Sequence, residues 1–240
     1  GSRRELPRGA LDALGSALHH DAREVRHGAA SAILAAAGDA ELPTLVLGAL
    51  GMALHDPELE IRRKAVAAIA KVVSRSKIPR LVLGALAEAA LQDEDEEVRT
   101  AAVVVIGHAA TAGEVPASVL GALGAALRDG RHGVRKSAAL AIARATSWND
   151  VPRTTLVALG AAVRDSEREV RSNAVVAIGL SAGSIELPSE VVVALRGALQ
   201  DEDEGVRTIA AAAVRKCKAS RVEPHGRWGH GHLQDLGVGL

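Results

Sequence analysis

Apolar residues recur at helical spacing along most of the chain, in segments of two kinds. One kind follows a proline, as in PTLVLGALGMAL at 43–54 and PASVLGALGAAL at 116–127. The other kind follows an acidic turn and has apolar residues four positions apart, such as Ile61, Ala65 and Ile69. Because apolar side chains three to four residues apart share one face of a helix, the pattern predicts alternating first and second helices.

The two helix types repeat with a step of 36 residues, apart from one extra residue near 88–90. The step is marked by six prolines that each follow a branched apolar residue: Pro7, Pro43, Pro79, Pro116, Pro152 and Pro188. A Val-Arg or Ile-Arg pair follows each proline at a similar distance, from Val25-Arg26 to Val206-Arg207. A fixed step of this length indicates a repeat architecture, so six two-helix repeats are expected over roughly residues 5–217.

The order of an early proline, a turn Asp, Val-Arg and then Ala and Ile resembles HEAT repeats. The short bacterial form, related to bilin-lyase HEAT-like repeats, is similar as well. The resemblance covers about nine-tenths of the chain, and it implies an all-α, right-handed α-solenoid. It also implies that the turn Asp pairs with second-helix arginines of neighbouring repeats, in the series that includes Arg62, Arg99 and Arg135. The turn residues concerned are Asp56, Asp93, Asp129, Asp165 and Asp201, with Asp21 displaced in the first repeat.

An acidic run precedes two second helices, as LQDEDEEVRTAA at 91–102 and LQDEDEGVRTIA at 199–210. Asp93 with Glu96, and Asp201 with Glu204, have capping-box spacing, so Asp93 and Asp201 are predicted to be helix N-caps. Asp21 with Glu24 has the same spacing, and Asp56-Pro57 predicts an acidic cap followed by a proline in the first turn. An EF-hand is disfavoured, because a glycine at loop position six and a glutamate at position twelve are both missing. Gly48 and Gly51 are expected to permit close helix contact.

Composition narrows the class of protein. The 29 basic and 29 acidic residues cancel, so net charge gives no reason to expect nucleic acid or a membrane surface as partner. The chain has no Phe, no Tyr and two Trp, yet 48% of its residues are apolar, so Ala, Val, Leu and Ile must build the core. The lone Cys217 excludes an internal disulfide and favours a reducing, cytoplasmic compartment. No apolar run is long enough to predict a transmembrane helix.

No familiar catalytic motif occurs: the chain lacks H-E-x-x-H, a Walker loop, G-x-S-x-G and C-x-x-C. His19-His20 and the tail histidines at 225, 230 and 232 could contact a metal ion, but in the Gly-rich tail no Cys or carboxylate completes a recognisable tetrahedral set. The prediction is therefore a non-enzyme with no catalytic residue, metal or cofactor. An enzyme of the bilin-lyase or DNA-glycosylase kind is the alternative, and the scarcity of aromatic residues counts against it.

A strip of second-helix positions is the predicted partner-binding site. These positions lie two, six and ten residues after the Val or Ile of each pair, where a helix presents one face and where no Asp or Glu occurs. The predicted residues are Arg63, Lys71, Thr100, Val104, His108, Lys136, Leu140, Arg144, Ser172, Val176 and Leu180. A mildly basic and apolar strip suits an acidic or amphipathic peptide or protein. A solvated face selected for solubility is the alternative.

Trp148, in the loop between repeats four and five, is a further candidate anchor or a cover for a helix end. The predicted organisation is a cleavage scar at 1–2, the solenoid at 3–217 and a Gly- and His-containing tail at 218–240. The predicted function is a protein-interaction scaffold; nucleic acid would require more basic and aromatic residues. A sensor array from a larger multidomain protein and a designed or consensus-derived array are alternatives, and the oligomeric state stays open.

Overall fold

The computed structural model describes residues 6–38, 41–113, 115–147, 149–183 and 185–219, which form twelve α-helices and contain no β-strand. Trp148, the residues at 1–2 and the tail from 220 onward lie outside this range, and so do the predictions made for them. The chain divides into two compact units, one ending at Val119 and the other beginning at Leu120.

The first unit contains three complete helix pairs. Its first helices are α1 (Arg8–Ala17), α3 (Thr44–Ala53) and α5 (Arg80–Gln92), and its second helices are α2 (Arg23–Ala36), α4 (Leu59–Val72) and α6 (Glu96–Thr111). Helices of one kind pack against each other, α1 on α3 on α5 and α2 on α4 on α6.

The second unit repeats this arrangement. The division falls within α7 (Ala117–Ala126), and α8 (His132–Ala145), α9 (Arg153–Ala162), α10 (Arg168–Ser181), α11 (Ser189–Gly197) and α12 (Glu204–Ala219) follow. One 3-10 turn at Ala198–Gln200 connects α11 to α12. The predicted all-α solenoid architecture of two-helix repeats is therefore confirmed.

Proline sets the start of the first helices. Pro7, Pro43, Pro79 and Pro152 are N-cap residues with φ between −55° and −60° and an extended ψ, and the helix begins at the next residue. A proline costs no hydrogen bond at this position, because an N–H at the start of a helix has no helical partner, and its ring fixes φ. Helix α5 of the third repeat, which contains the extra residue, has 13 residues compared with 10 in α3, and it continues to Gln92, directly before the turn residue Asp93.

Aliphatic side chains and glycine contacts replace aromatic packing in the core. Gly51 lies against Val82 of the next first helix, so that an added Cβ would be 3.2 Å from Cγ2 of Val82. In the second unit a Cβ on Gly124 would be 3.1 Å from Cα of Thr155. The same kind of contact joins Gly15 to Val46 and Gly160 to Val191. Close approach is confirmed for Gly51, whereas the prediction was wrong for Gly48, where an added Cβ would meet nothing within 4 Å.

Candidate functional site

Four second-helix arginines bind the turn Asp of the following repeat. The pairs are Arg26–Asp56 and Arg62–Asp93 in the first unit, and Arg135–Asp165 and Arg171–Asp201 in the second. In each pair Nε lies 2.7–2.8 Å from Oδ2, and Nη2 lies 2.9–3.3 Å from Oδ1. This two-pronged geometry is the strongest arrangement of a guanidinium and a carboxylate. The pairing that the HEAT resemblance implied is present in these four cases.

Each of these arginines also holds the turn of its own repeat. Arg171 Nη1 donates to the carbonyl oxygens of Asp165 at 3.0 Å and Ser166 at 3.1 Å. Asp165 Oδ1 in turn accepts the backbone N–H of Glu167 at 2.9 Å. Burial disfavours the charged form of Asp165, but hydrogen bonds from Arg135 and Glu167 outweigh it and lower the pKa of Asp165. The turn and the joint between repeats are thus one charged network.

The acidic residues that cap α6 and α12 lie two positions after the predicted ones. The N-cap of α6 is Asp95, which accepts the N–H of Val98 at 3.0 Å, and Asp203 accepts the N–H of Val206 at 3.0 Å. Asp93 and Asp201 cannot cap these helices because their carboxylates bind arginine and form the turn. The N-cap residues of α2 and α4 are Ala22 and Glu58, and neither makes a side-chain capping bond. The predicted caps Asp21 and Asp56 therefore do not cap a helix. Pro57 lies before the first turn of α4 and not within it.

A second set of ion pairs crosses the predicted strip. Arg63 Nη2 lies 2.8 Å from Oδ2 of Asp95 and 3.1 Å from Oε2 of Glu97, and Lys136 pairs with Glu169. A hydrogen bond from Arg63 lowers the pKa of Asp95, and a hydrogen bond from Lys136 lowers the pKa of Glu169. The strip contains no acid of its own, but acids from the next repeat pair with its Arg63 and Lys136. The basic character predicted for the strip is therefore offset at these two positions.

Lys71 also has a structural contact. Its Nζ donates to the carbonyl oxygen of Leu34 at 3.1 Å, near the C-terminus of α2. Arg75 Nη2 donates to the carbonyl oxygen of Ala37 at 2.7 Å in the same place. Cations are stabilising at a helix C-terminus, where carbonyl groups lack helical partners. Lys71 and Arg75 thus cap the preceding second helix.

The other strip residues of the first unit lie on α6. Val104 is 36% exposed, and Thr100 and His108 are half-buried. His108 Nδ1 is 2.9 Å from the carbonyl oxygen of Val104. The accessible surface here is aliphatic and hydroxyl, with an imidazole beside it.

In the second unit the strip residues lie on α8 and α10. Leu140 and Arg144 are half-buried on α8 beside Lys136, and Ser172 and Leu180 are half-buried on α10. Val176 is only 2% exposed, because α10 packs between α8 and α12. Val176 is therefore a core residue and not part of the accessible strip.

Sequence reasoning missed contacts that join residues of adjacent repeats. Arg168 pairs with Asp203 at 2.7 Å, and Arg23 pairs with Glu58 at 3.1 Å. Lys64 donates to Ser31 Oγ at 2.8 Å and contacts the ring of His27. The available signal was the spacing: opposite charges 32–35 residues apart recur across the joints.

The described residues contain no group of three or more His, Cys, Asp or Glu placed to hold a metal ion. Over the same range, every helix falls short of the length and apolar character needed to cross a bilayer.

No protein-family profile matches the chain, and no curated protein does. Solved structures do match. A designed armadillo repeat protein in complex with the peptide (KR)4 is 24% identical, with a TM-score of 0.64 over 86% of this chain and 99% of that one. Computationally designed armadillo repeat proteins for modular peptide recognition are also 24% identical, with a TM-score of 0.65 over 86% and 99%. An engineered protein from a structural genomics consortium is 19% identical, with a TM-score of 0.61 over 88% and 97%.

Identity this low shows a shared fold and nothing finer. The helix pairs, their charged joints and these neighbours define the chain as an all-α helical-repeat solenoid protein.

Proposed function

We propose that the chain is a non-enzymatic interaction scaffold that binds an amphipathic peptide or protein segment on its second helices. One observation supports the proposal: accessible aliphatic side chains lie in the strip among charged side chains that already have partners within the chain. Val104 provides the aliphatic surface in the first unit, and Leu140 and Leu180 provide it in the second.

The chemistry favours apolar anchoring over charge recognition. Burial of apolar surface stabilises a complex by about 25 cal/mol per Å², so the exposed parts of Val104, Leu140 and Leu180 contribute when a partner covers them. Arg63 and Lys136 contribute less, because a partner's carboxylate would have to displace Glu97, Asp95 or Glu169. We therefore narrow the expected acidic or amphipathic partner to an amphipathic one, with hydroxyl groups of Thr100 and Ser172 available for polar contacts.

Rigid helices support this role. A surface that is already ordered loses little conformational entropy on binding, and the bidentate Arg–Asp pairs order every joint at which they occur. The designed armadillo neighbours titled for peptide recognition give a precedent for peptide binding on stacked helices. The HEAT-like order of motifs, absence of an enzymatic role and a cytoplasmic location belong to the same proposal.

The test uses a peptide selected from a displayed random library on the full-length chain. Its Kd is measured for the wild type, Val104→Asp, Leu140→Ser and the control Val193→Asp. Val193 is 60% exposed on α11, a first helix, so its replacement introduces the same charge away from the strip. We expect Val104→Asp or Leu140→Ser to weaken binding about tenfold or more, and Val193→Asp to leave it unchanged. Equal binding by all four proteins would refute the proposed site.

A designed or consensus-derived binder scaffold is the second candidate. The engineered origin of the neighbours reported above favours it. Recovery of this coding sequence from the genomic DNA of an organism would overturn it, without affecting the proposed binding surface.

A further inference from the structure

Three apolar side chains on first helices of the first unit are more than half exposed. Leu45 is 64% exposed, Met52 is 58% exposed and Leu81 is 75% exposed. Helix α3, which carries Leu45 and Met52, has no Asp, Glu, Lys or Arg between Thr44 and Ala53. A helix that is apolar on all sides is normally covered, because its outward face gains free energy by leaving water.

The three side chains form one patch over two helices. Leu45 and Met52 are seven residues apart and therefore lie on the same side of α3. Leu81 occupies the position in α5 that Leu45 occupies in α3, two residues after the proline. The contact of Gly51 with Val82 brings α3 and α5 close together. We call Leu45, Met52 and Leu81, with Gly48 and Gly84, the outer patch.

Protrusions and recesses alternate within the outer patch. Gly48 lies one turn from both Leu45 and Met52, and Gly84 is its equivalent beside Leu81. An added Cβ at either glycine would meet nothing within 4 Å, so both positions are open. A twofold-symmetric interface requires one surface that supplies both the inserting and the receiving positions. The outer patch meets that requirement with its own residues.

Charges at the ends of the patch are also self-complementary. Arg80 is exposed at the start of α5, and Glu88 is exposed two turns later, where it pairs with Nε2 of His55 at 3.3 Å. When two α5 helices lie antiparallel across a twofold axis, Arg80 of each copy approaches Glu88 of the other. Opposite charges then meet at both ends of an apolar centre, which favours this register.

We propose that the outer patch joins two copies of this chain, with the α3 and α5 helices of one copy antiparallel to those of the other. Leucine and methionine side chains of each copy insert beside Gly48 and Gly84 of its partner. The two helices are about 15 and 20 Å long and about 9 Å apart. A face of that size falls below the roughly 800 Å² per partner of a standard stable interface. An interface below that size is typical of weak association, so we expect a reversible dimer. The dimer goes beyond the proposed function by presenting two strips at once.

Sedimentation velocity of the full chain tests the proposal, from low micromolar to near-millimolar concentration. The average mass of the wild type should rise above the 24.7 kDa of one chain as concentration increases. Leu81→Lys or Met52→Lys should raise the dimer Kd by at least about tenfold, because each places an ammonium group in the apolar centre. Val193→Lys, at an exposed first-helix position of the second unit, should leave the Kd unchanged.

A charge exchange separates a specific dimer from general stickiness. Arg80→Glu and Glu88→Arg should each weaken association, and the double variant should restore it. Circular dichroism melts verify that every variant is folded. A wild-type mass that stays at one chain, equal weakening by Val193→Lys, or no recovery in the double variant would overturn the proposal. Monomers that bind phosphatidylcholine vesicles through Leu81 would also overturn it and identify the patch as a lipid-contacting surface.

Discussion

Arg63 of α4 donates to Asp95 at 2.8 Å, and this same Asp95 caps α6 through the N–H of Val98. Asp203 combines the same two roles with Arg168 and Val206. Arg63 lies two residues after Ile61, whereas Arg168 lies two residues before Val170, so different positions of the preceding helix supply the same contact. The two acidic runs are therefore structural joints that link a helix start to the repeat before it.

Charge reversal at Arg63 should reduce the stability of the chain as well as change the charge of the strip. Arg63→Glu places a carboxylate beside Glu60, Asp95 and Glu97, replacing attraction by repulsion. We expect a lower unfolding free energy, measured as a drop of a few degrees in Tm by circular dichroism. Lys77→Glu is the matched control, because Lys77 is exposed and makes no ion pair within the described part of the first unit. An unchanged Tm for Arg63→Glu would show that this ion pair contributes nothing.

Two glycines of α7 should respond in opposite directions to alanine. At Gly124 the new Cβ would lie 3.0–3.2 Å from three atoms of Thr155, including its Cα, so Gly124→Ala should cost about 1–3 kcal/mol by overpacking. At Gly121 the Cβ would meet open space, so Gly121→Ala should stabilise the helix by about 0.5–1 kcal/mol. Urea denaturation of both variants measures the difference. Destabilisation of similar size at both sites would contradict the role of Gly124 in helix contact.

Local signals explain why the helices could be predicted and why some site residues could not. The proline, the Val-Arg pair and the apolar period are properties of each repeat, so the bounds of α3 and α4 follow from neighbouring residues. The choice between Asp93 and Asp95 as cap is made by arginines of the preceding repeat, about 30 residues away. Burial of Val176 likewise depends on α8 and α12, which its own helix cannot reveal.

Loss of the Arg171 guanidinium should be costly. Arg171 and Asp201 are both buried at their contact, so Arg171→Met leaves a carboxylate without its cation and two turn carbonyls without a donor. Removing one partner of a buried pair costs about 3–5 kcal/mol. Thermal unfolding of Arg171→Met is compared with that of Arg164→Met, an exposed arginine of the same unit. Equal melting temperatures would rule out a stabilising role for the Arg171–Asp201 pair.

Acid should weaken the charged joints. Burial acts to raise the pKa of Asp165 and the pKa of Asp201, but hydrogen bonds from Arg135 and Arg171 and from backbone N–H groups outweigh it, so both pKa values are lowered in the folded chain. A group with a lowered folded pKa stabilises above its unfolded pKa, about 3.9 for Asp, and that stability is lost as pH falls through the folded pKa. We therefore expect Tm to be nearly flat from pH 7 to pH 5 and to decline below about pH 4.

Asp165→Asn should reduce the slope of that decline, since one carboxylate no longer takes up a proton on unfolding. Asp150→Asn, at an exposed position that forms no ion pair among the described residues of its unit, is the control and should retain the wild-type slope. Identical slopes for all three proteins would exclude Asp165 as a source of the acid sensitivity.

Methyl NMR of the chain with a library-selected amphipathic peptide is the most direct test of the proposed binding function. Leucine and valine methyl groups report on both candidate surfaces in one spectrum. We expect the methyl signals of Val104, Leu140 and Leu180 to shift on titration, while those of Leu45, Leu81 and Val193 keep the positions they have without peptide. Shifts confined to Leu45 and Leu81, with Val104, Leu140 and Leu180 unmoved, would contradict it.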